Sequence, residues 1–424
     1  MVQRRRAAPN IPAMSSGRSS RRSSGSVAAL VVLFIFTIGT AALAVRSLTG
    51  GIDETPNGAA LDQAQDAPNE DDPTQGGEFD RATARREVAL AEIRAGEQTP
   101  DPDPSPEIEP GTNIIHVDDK AEVRGEGTVD QPFLTLGEAL ELAQPGDVVL
   151  IGRGVYRERV RSVRAGTPDR PIRIIGEDGA RLESDGRDHL VRITHDHIWL
   201  ENLKLSDAKT LIWIENATGV RVLRNTLTDA GGECIRLKYF ARRNEIAYND
   251  IGKCGRTGFD LSAGSKNGEA VYIGTAPEQL ESTNPSLDPD RSDRNWVHHN
   301  TISARAECVD VKESATANRV EDNVCLGGDD PKGAGFSSRG RGTIFVRNTS
   351  SDHAGSGIQL AGDDHEIDAA ESVVVDNAMS GNGAFGLRVL NPSQTLLCAN
   401  VFDDNDDGDM SELARGAGDP CPES

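Results

Sequence analysis

Asparagine returns through most of this sequence at nearly constant intervals, each time after or within a short apolar alternation. The set comprises Asn202 (WLENLKL), Asn225 (VLRNTL), Asn249 (IAYNDI), Asn300 (VHHNTI), Asn323 (VEDNVC), Asn348 (FVRNTS), Asn377 (VVDNAM) and Asn400 (LCANVF). Separations of about two dozen residues match one coil of a solenoid and are too regular for turn asparagines placed independently. One interval is about double; it holds the strand-like EAVYIGT and the polar insertion APEQLESTNPSLDPDRSDRN. Such a coil carries an outward loop. Stacked asparagines at a turn hydrogen-bond up and down the ladder, coil after coil. The period therefore predicts an all-β chain wound as a parallel β-helix over residues 113–424.

Composition agrees. Apolar residues make up 36% of the chain and aromatics only 4%, with 44 glycines, which suits many short strands joined by turns rather than one thick core. The formal charge of −23 argues against nucleic acid as a partner. That charge is unevenly spread. Residues 1–26 are arginine- and serine-rich, a basic cytoplasmic tail, and VAALVVLFIFTIGTAALAV (27–45) is uncharged between Arg22 and Arg46. A run of that length spans a bilayer as a helix, and the basic cluster before it places the remainder of the chain outside the cytoplasm. Ala42-Leu43-Ala44 also has the form of a cleavage site, so the segment reads either as a retained anchor or as a cleaved signal near Ala44. Residues 46–112 are acidic and proline-rich, too poor in apolar residues to bury a core, and read as a disordered linker.

The folded part opens at Asn113. Thr135 and Glu138 form a T-x-x-E capping box for a short helix ended by Pro145-Gly146. Gly127-Thr128, Pro132-Phe133, Thr135-Leu136, and then Pro145-Gly146-Asp147, Val149, Gly154 and Tyr156 lie in the arrangement G-T-x-x-x-P-F-x-T-L … P-G-D-x-V-x-x-x-x-G-x-Y. This resembles the N-terminal cap of right-handed parallel β-helix proteins of the pectin-lyase-like superfamily. The resemblance implies a right-handed helix whose open apolar end is covered by the short helix.

Aligning coils brings ECIRLK (233–238), EAVYIG (269–274), ECVDVK (307–312), GFSSRG (335–340) and GIQLAG (357–362) onto one face. Ile235, Leu237, Val271, Ile273, Val309, Val311, Ile358 and Leu360 then share the inward parity. Arg236, Tyr272, Asp310, Ser337 and Gln359 form an outward row, with Lys238 and Lys312 beside it; Arg236, Lys238, Tyr272, Asp310 and Gln359 are the expected substrate contacts. Glu233, Glu269 and Glu307 fall in one column. Stacked about 4.8 Å apart, three carboxylates repel unless something positive sits among them. Calcium, bound by these three glutamates, answers that need; so does neutralisation by Arg236, Arg305 or Lys238.

Within this face, Glu307-x-x-x-x-Lys312 followed a coil later by Arg339-Gly340 resembles the alginate lyase and chondroitinase B type of polysaccharide lyase. The resemblance implies β-elimination on a uronate-containing polysaccharide, with Lys312 as base, Arg339 as acid and Glu307 as a calcium ligand. The chemistry needs such groups, because charge on the incipient enediolate must be held by a cation while a neutral lysine takes the proton. Two departures stand out: Arg305 replaces a further calcium-binding acid, and GGDDPKG lengthens the Lys312–Arg339 spacing. Asp329-Asp330 is similar to the acid pair of polygalacturonases, without the G-H-G and R-I-K that accompany it there. A carbohydrate-binding or structural surface module without chemistry is the competing reading, and a monomer is expected in either case.

All six cysteines lie in the folded part, an even count that suits disulfides in an oxidising compartment. Cys234 and Cys254 lie at either end of one coil, Cys308 and Cys325 likewise, and Cys398 with Cys421 would pin the acidic tail. Free core thiols are the alternative.

Overall fold

A computed structural model describes Glu87 and residues 107–122, 125–184, 186–361 and 369–422. The chain divides into two units after Asp72, and all described residues belong to the second. The expected basic tail, the apolar segment 27–45 and nearly all of the linker lie outside the described residues. Among those described, no helix is long and apolar enough to cross a membrane.

Among the described residues, each coil gives one strand to each of three parallel sheets, which hold eleven, ten and ten strands. One turn runs from Arg319–Glu321 in the first sheet to Val324–Leu326 in the second and Ala334–Ser338 in the third. Consecutive turns pair in parallel without slippage over most of the stack: Ile235 lies beside Val271, Val271 beside Val309, and Val309 beside Phe336. The inward residues of this column are fully buried, as their alternation requires. Each buried Val, Ile or Leu contributes about 1.5–3 kcal/mol. The outward row appears as expected, Arg236–Tyr272–Asp310–Ser337–Gln359. The hexapeptide blocks do not all align end to end, however. Cys308 donates its N–H to Gly335 O, so the GFSSRG strand joins one residue later than a block-by-block overlay puts it.

The asparagines turn the corner between the first and second sheets. From Asn225 to Asn400 each side-chain amide donates to the next Oδ1: Asn249 to Asn300 at 2.9 Å, Asn300 to Asn323 at 2.9 Å, Asn323 to Asn348 at 3.0 Å. Each Oδ1 also accepts a backbone N–H from the neighbouring coil, as Asn323 does from Asn300 at 3.0 Å. The residue before each asparagine is left-handed, for example Tyr248 (φ 58°), His299 (φ 52°) and Arg347 (φ 53°). That conformation is unfavourable for side chains of this kind, and the satisfied ladder offsets it. Asn202 departs from the expectation. It occupies the left-handed position itself (φ 55°), exposed, and Leu203 stands where the ladder residue belongs, receiving Asn225 Oδ1 on its N–H. A second ladder, Asn244–Asn295–Asn318, runs at another corner.

Between the first two strands of the first sheet, the chain forms the helix Leu136–Leu142, with the Thr135–Glu138 capping box and with Leu136, Ala139 and Leu140 buried. All three expected disulfides are present, Cys234–Cys254, Cys308–Cys325 and Cys398–Cys421.

Replacing Asn323 by Ala strands donors and acceptors in two neighbouring coils, so it should cost at least about 2 kcal/mol. Asn202→Gly, outside the ladder at a left-handed position, should change stability by less than about 1 kcal/mol. Urea unfolding of both variants measures the contrast.

Candidate active site

The third sheet's outer face carries a cavity of about 410 Å³. Every residue expected at the site lines it except Lys238. Backbone pairing explains the convergence of the acids: Cys234 N–H donates to Glu269 O at 3.1 Å and Ala270 N–H to Glu307 O at 2.9 Å, which stacks three glutamates separated by dozens of residues. Two of the disulfides begin at the very next residues, Cys234 and Cys308, and fix the heads of these strands.

Three carboxylates approach one another, but they are not the three the sequence suggested. Ligand oxygens of Glu269, Glu307 and Asp310 lie within 4.8 Å of one another. Glu233 instead pairs with Arg236, Nη1 to Oε1 at 3.1 Å, and accepts from Thr210 Oγ1 at 3.3 Å. Burial, reinforced by the Glu233 charge, pushes Glu269 up to about 7. Burial and the Asp310 charge push Glu307 up to about 8. Asp310 itself is pushed up by burial, but the charges of Lys312 and Arg339 outweigh this and hold it below the usual carboxylate range. Its Oδ1 is buried and accepts no hydrogen bond among the described residues. Gly333 packs directly on the cluster: a Cβ there would lie 2.7 Å from Glu307 Oε1. Glu269 accepts the Gly268 N–H at 2.9 Å, yet three clustered carboxylates, two of them with raised pKa values and the third with an unpartnered buried oxygen, suit a hard, oxygen-ligated cation such as calcium.

Lys312 Nζ lies 2.6 Å from Asp310 Oδ2 and 4.6 Å from the centre of the Tyr272 ring. Burial alone would lower its pKa, but Asp310 raises it well above the ordinary lysine range, so the amine is an ammonium. Arg339 approaches the same carboxylate, Nη1 to Oδ1 at 4.0 Å, with Nε 3.7 Å from Glu313. Lys312 and Arg339 thus converge on Asp310. Tyr272 lies under Arg236, whose Cζ is 3.5 Å from the ring centre; burial pushes the phenol up to about 12, and its hydroxyl finds no partner among the described residues.

Lys238 belongs elsewhere. Its ammonium sits 4.9 Å from the Trp213 ring centre and donates to Thr283 O, on the loop that follows Ile273. Burial, with Arg236 nearby, lowers its pKa to about 8. The same loop sends Gln279 to the cavity wall and is tied down by Asp290, which accepts the N–H groups of Tyr239 (2.8 Å) and Phe240 (3.1 Å). The outward loop predicted for the long coil is therefore a wall of the site.

Sequence reasoning missed the opposite wall. Phe259–Asp260 and Ser265–Lys266 pair as a small antiparallel hairpin, from which Lys266 reaches Asp330 at 2.6 Å. Neither belongs to the repeat, and only the GGDDPKG insertion hinted at this wall. Asp329 points away to Arg305 at 2.7 Å, so Asp329 and Asp330 do not form a paired-carboxylate centre. Arg305 spends its charge there and does not neutralise the glutamates.

The raised glutamates set a pH dependence. Their folded pKa values lie above the unfolded one, so the protein without divalent cation holds their full stabilisation below about pH 4.3 and loses it as pH rises through 7 to 8. Thermal unfolding should fall by a few degrees across that window, calcium should restore it, and Glu307→Gln should flatten both responses.

No protein-family model matches the chain, and no curated protein matches it in sequence. Its structure is similar to that of an alginate lyase from Paenibacillus sp. str. FPU-7 (18% identity, TM-score 0.55), covering 65% of this chain and 94% of that one. It is also similar to the pectate lyase Pel9A (11% identity, TM-score 0.52), covering 73% of this chain and 82% of that one. The fold shared at these identities is the right-handed parallel β-helix.

Proposed function

We propose that the protein acts on an acidic, uronate-containing polysaccharide, and that its third-sheet cavity cleaves the chain by β-elimination. The observation that carries this reading is the convergence, on one cavity, of the Glu269–Glu307–Asp310 acid cluster with Lys312 and Arg339. The alginate and pectate lyases of the same fold act on polymers of this class. Glu269, Glu307 and Asp310 would hold the cation, with Glu233 committed to Arg236. Calcium held there would supply positive charge to neutralise the substrate carboxylate and make the adjacent C–H more acidic.

In the elimination, a base takes the proton beside the carboxylate, the bond to the leaving sugar oxygen breaks, a C=C bond forms and an acid protonates the oxygen. Lys312 is the base and Arg339 the group facing the leaving oxygen. Lys312 is an ammonium while Asp310 stays ionised 2.6 Å away, so its role as base requires Asp310 to share its charge with another partner. Asp310 also belongs to the acid cluster, which couples the two events. Tyr272 and Gln359 line the path, and Arg236 orders the ring of Tyr272. The polysaccharide lies outside the cytoplasm in this reading: three disulfides suit an oxidising compartment, and residues 27–45 anchor or export a monomeric chain. The helix Leu136–Leu142 serves as the lid on the first coil.

A binding module without chemistry is the second reading, favoured by one observation: the tight Lys312–Asp310 pair is also how a purely structural ion pair looks.

Incubation with alginate, pectate and glycosaminoglycans, with and without calcium, distinguishes the two. The lyase reading predicts calcium-dependent unsaturated product, seen by its ultraviolet absorbance, and a loss of about 10²–10⁴-fold in Lys312→Ala. Binding without product, or full activity in Lys312→Ala, contradicts it.

A further inference from the structure

The outward row does not stop at Gln359. Gln359 pairs in register with Arg388 on the strand Phe385–Val389, and Arg388 Nη1 donates to Gln359 Oε1 at 3.3 Å. Three of the cavity's buried or tethered cations are committed to protein carboxylates: Arg236 to Glu233, Lys312 to Asp310, Lys266 to Asp330; Lys332 lines the cavity as an exposed side chain on its rim. Arg388 differs. Among the described residues its partner is a neutral amide, so a half-buried guanidinium keeps its charge and most of its N–H donors uncommitted.

Its position follows from the stack. Asp310, Ser337, Gln359 and Arg388 occupy successive strands in one column, the first three buried and Arg388 half-buried at its end. Three strand spacings put Arg388 about 14 Å from Asp310 along the sheet. That distance exceeds one sugar unit, and Gln359 lines the cavity as well as touching Arg388, so the surface is continuous.

We infer that Arg388, oriented by Gln359, is a second anion subsite: it binds the carboxylate of a uronate several units along the chain from the residue in the cavity. A guanidinium matches a carboxylate as a planar, bidentate donor. This inference rests on the acidic-polysaccharide reading above and adds a requirement to it: the site selects for chain length, and Arg388 sets that selection.

The test is calorimetric titration of the full chain, in calcium, with the hexasaccharides and disaccharides of alginate and of polygalacturonate, for wild type, Arg388→Gln and Gln359→Leu. The wild type should prefer a hexasaccharide to its disaccharide. Arg388→Gln should weaken hexasaccharide binding about tenfold, the value of one charge-assisted contact, and leave the disaccharide unchanged. Gln359→Leu, which releases the guanidinium from its orientation, should have a smaller effect of the same kind. Equal weakening of both lengths, no weakening, or no length preference in the wild type overturns the subsite. Product formation with an unaltered length preference in Arg388→Gln removes the subsite and leaves the lyase reading. Loss of that preference in a protein that forms no product leaves the subsite and removes the lyase reading, and no binding of either hexasaccharide removes both.

Discussion

Everything in this molecule depends on coils stacking at a fixed height, and the amide ladder at the first corner is what makes each coil repeat the last. A parallel β-helix needs the chain to bend sharply three times per turn without leaving backbone groups unpaired. Here the bend uses a left-handed residue, and the following asparagine answers the exposed donors and acceptors from its own coil and the next. Because the bonding is reciprocal, a shifted coil would break contacts on both sides. Register is thereby enforced at the corner, and the third sheet inherits it.

That rigidity allows an arrangement that a looser fold would relax away. Glu269 and Glu307 are placed one above the other by backbone pairing, beside Asp310, and the disulfides at Cys234 and Cys308 hold the heads of the neighbouring strands. Mutual repulsion and burial then express themselves as raised pKa values rather than as side chains swinging out. Gly333 presses on the same cluster from the loop above. Such a site stores unfavourable electrostatics that a bound cation would relieve, while Lys312 and Arg339 lean on Asp310, the one acid of the three held below the usual carboxylate range.

The repeat made the fold legible, along with the outward row from Arg236 to Gln359, because a period in sequence is a distance in space once the coil height is known. The parts that do not repeat were hidden. The hairpin carrying Lys266 pairs antiparallel within one coil and bears no relation to its neighbours, so nothing in the spacing announces that it reaches Asp330. Lys238 has the right register for the row, yet the Asp290-tethered loop covers it, and that loop's path is set by side-chain contacts with no periodic signature. The metal candidates shifted from Glu233 to Asp310 for a similar reason. The column of glutamates is a backbone fact, but which acids share an ion is decided by which arginine reaches them first, and Arg236 reaches Glu233. Asn202 shows the limit at a single residue: it has the right type at almost the right place, one position short of the ladder.

The central claim is that stacked coils build one cation site from Glu269, Glu307 and Asp310 beside Lys312. A crystal soaked with an anomalously scattering divalent or lanthanide ion tests it most directly. One anomalous peak within bonding distance of oxygens from all three carboxylates is the predicted result. A peak at another site, or none while the three carboxylates stand as described, would contradict it.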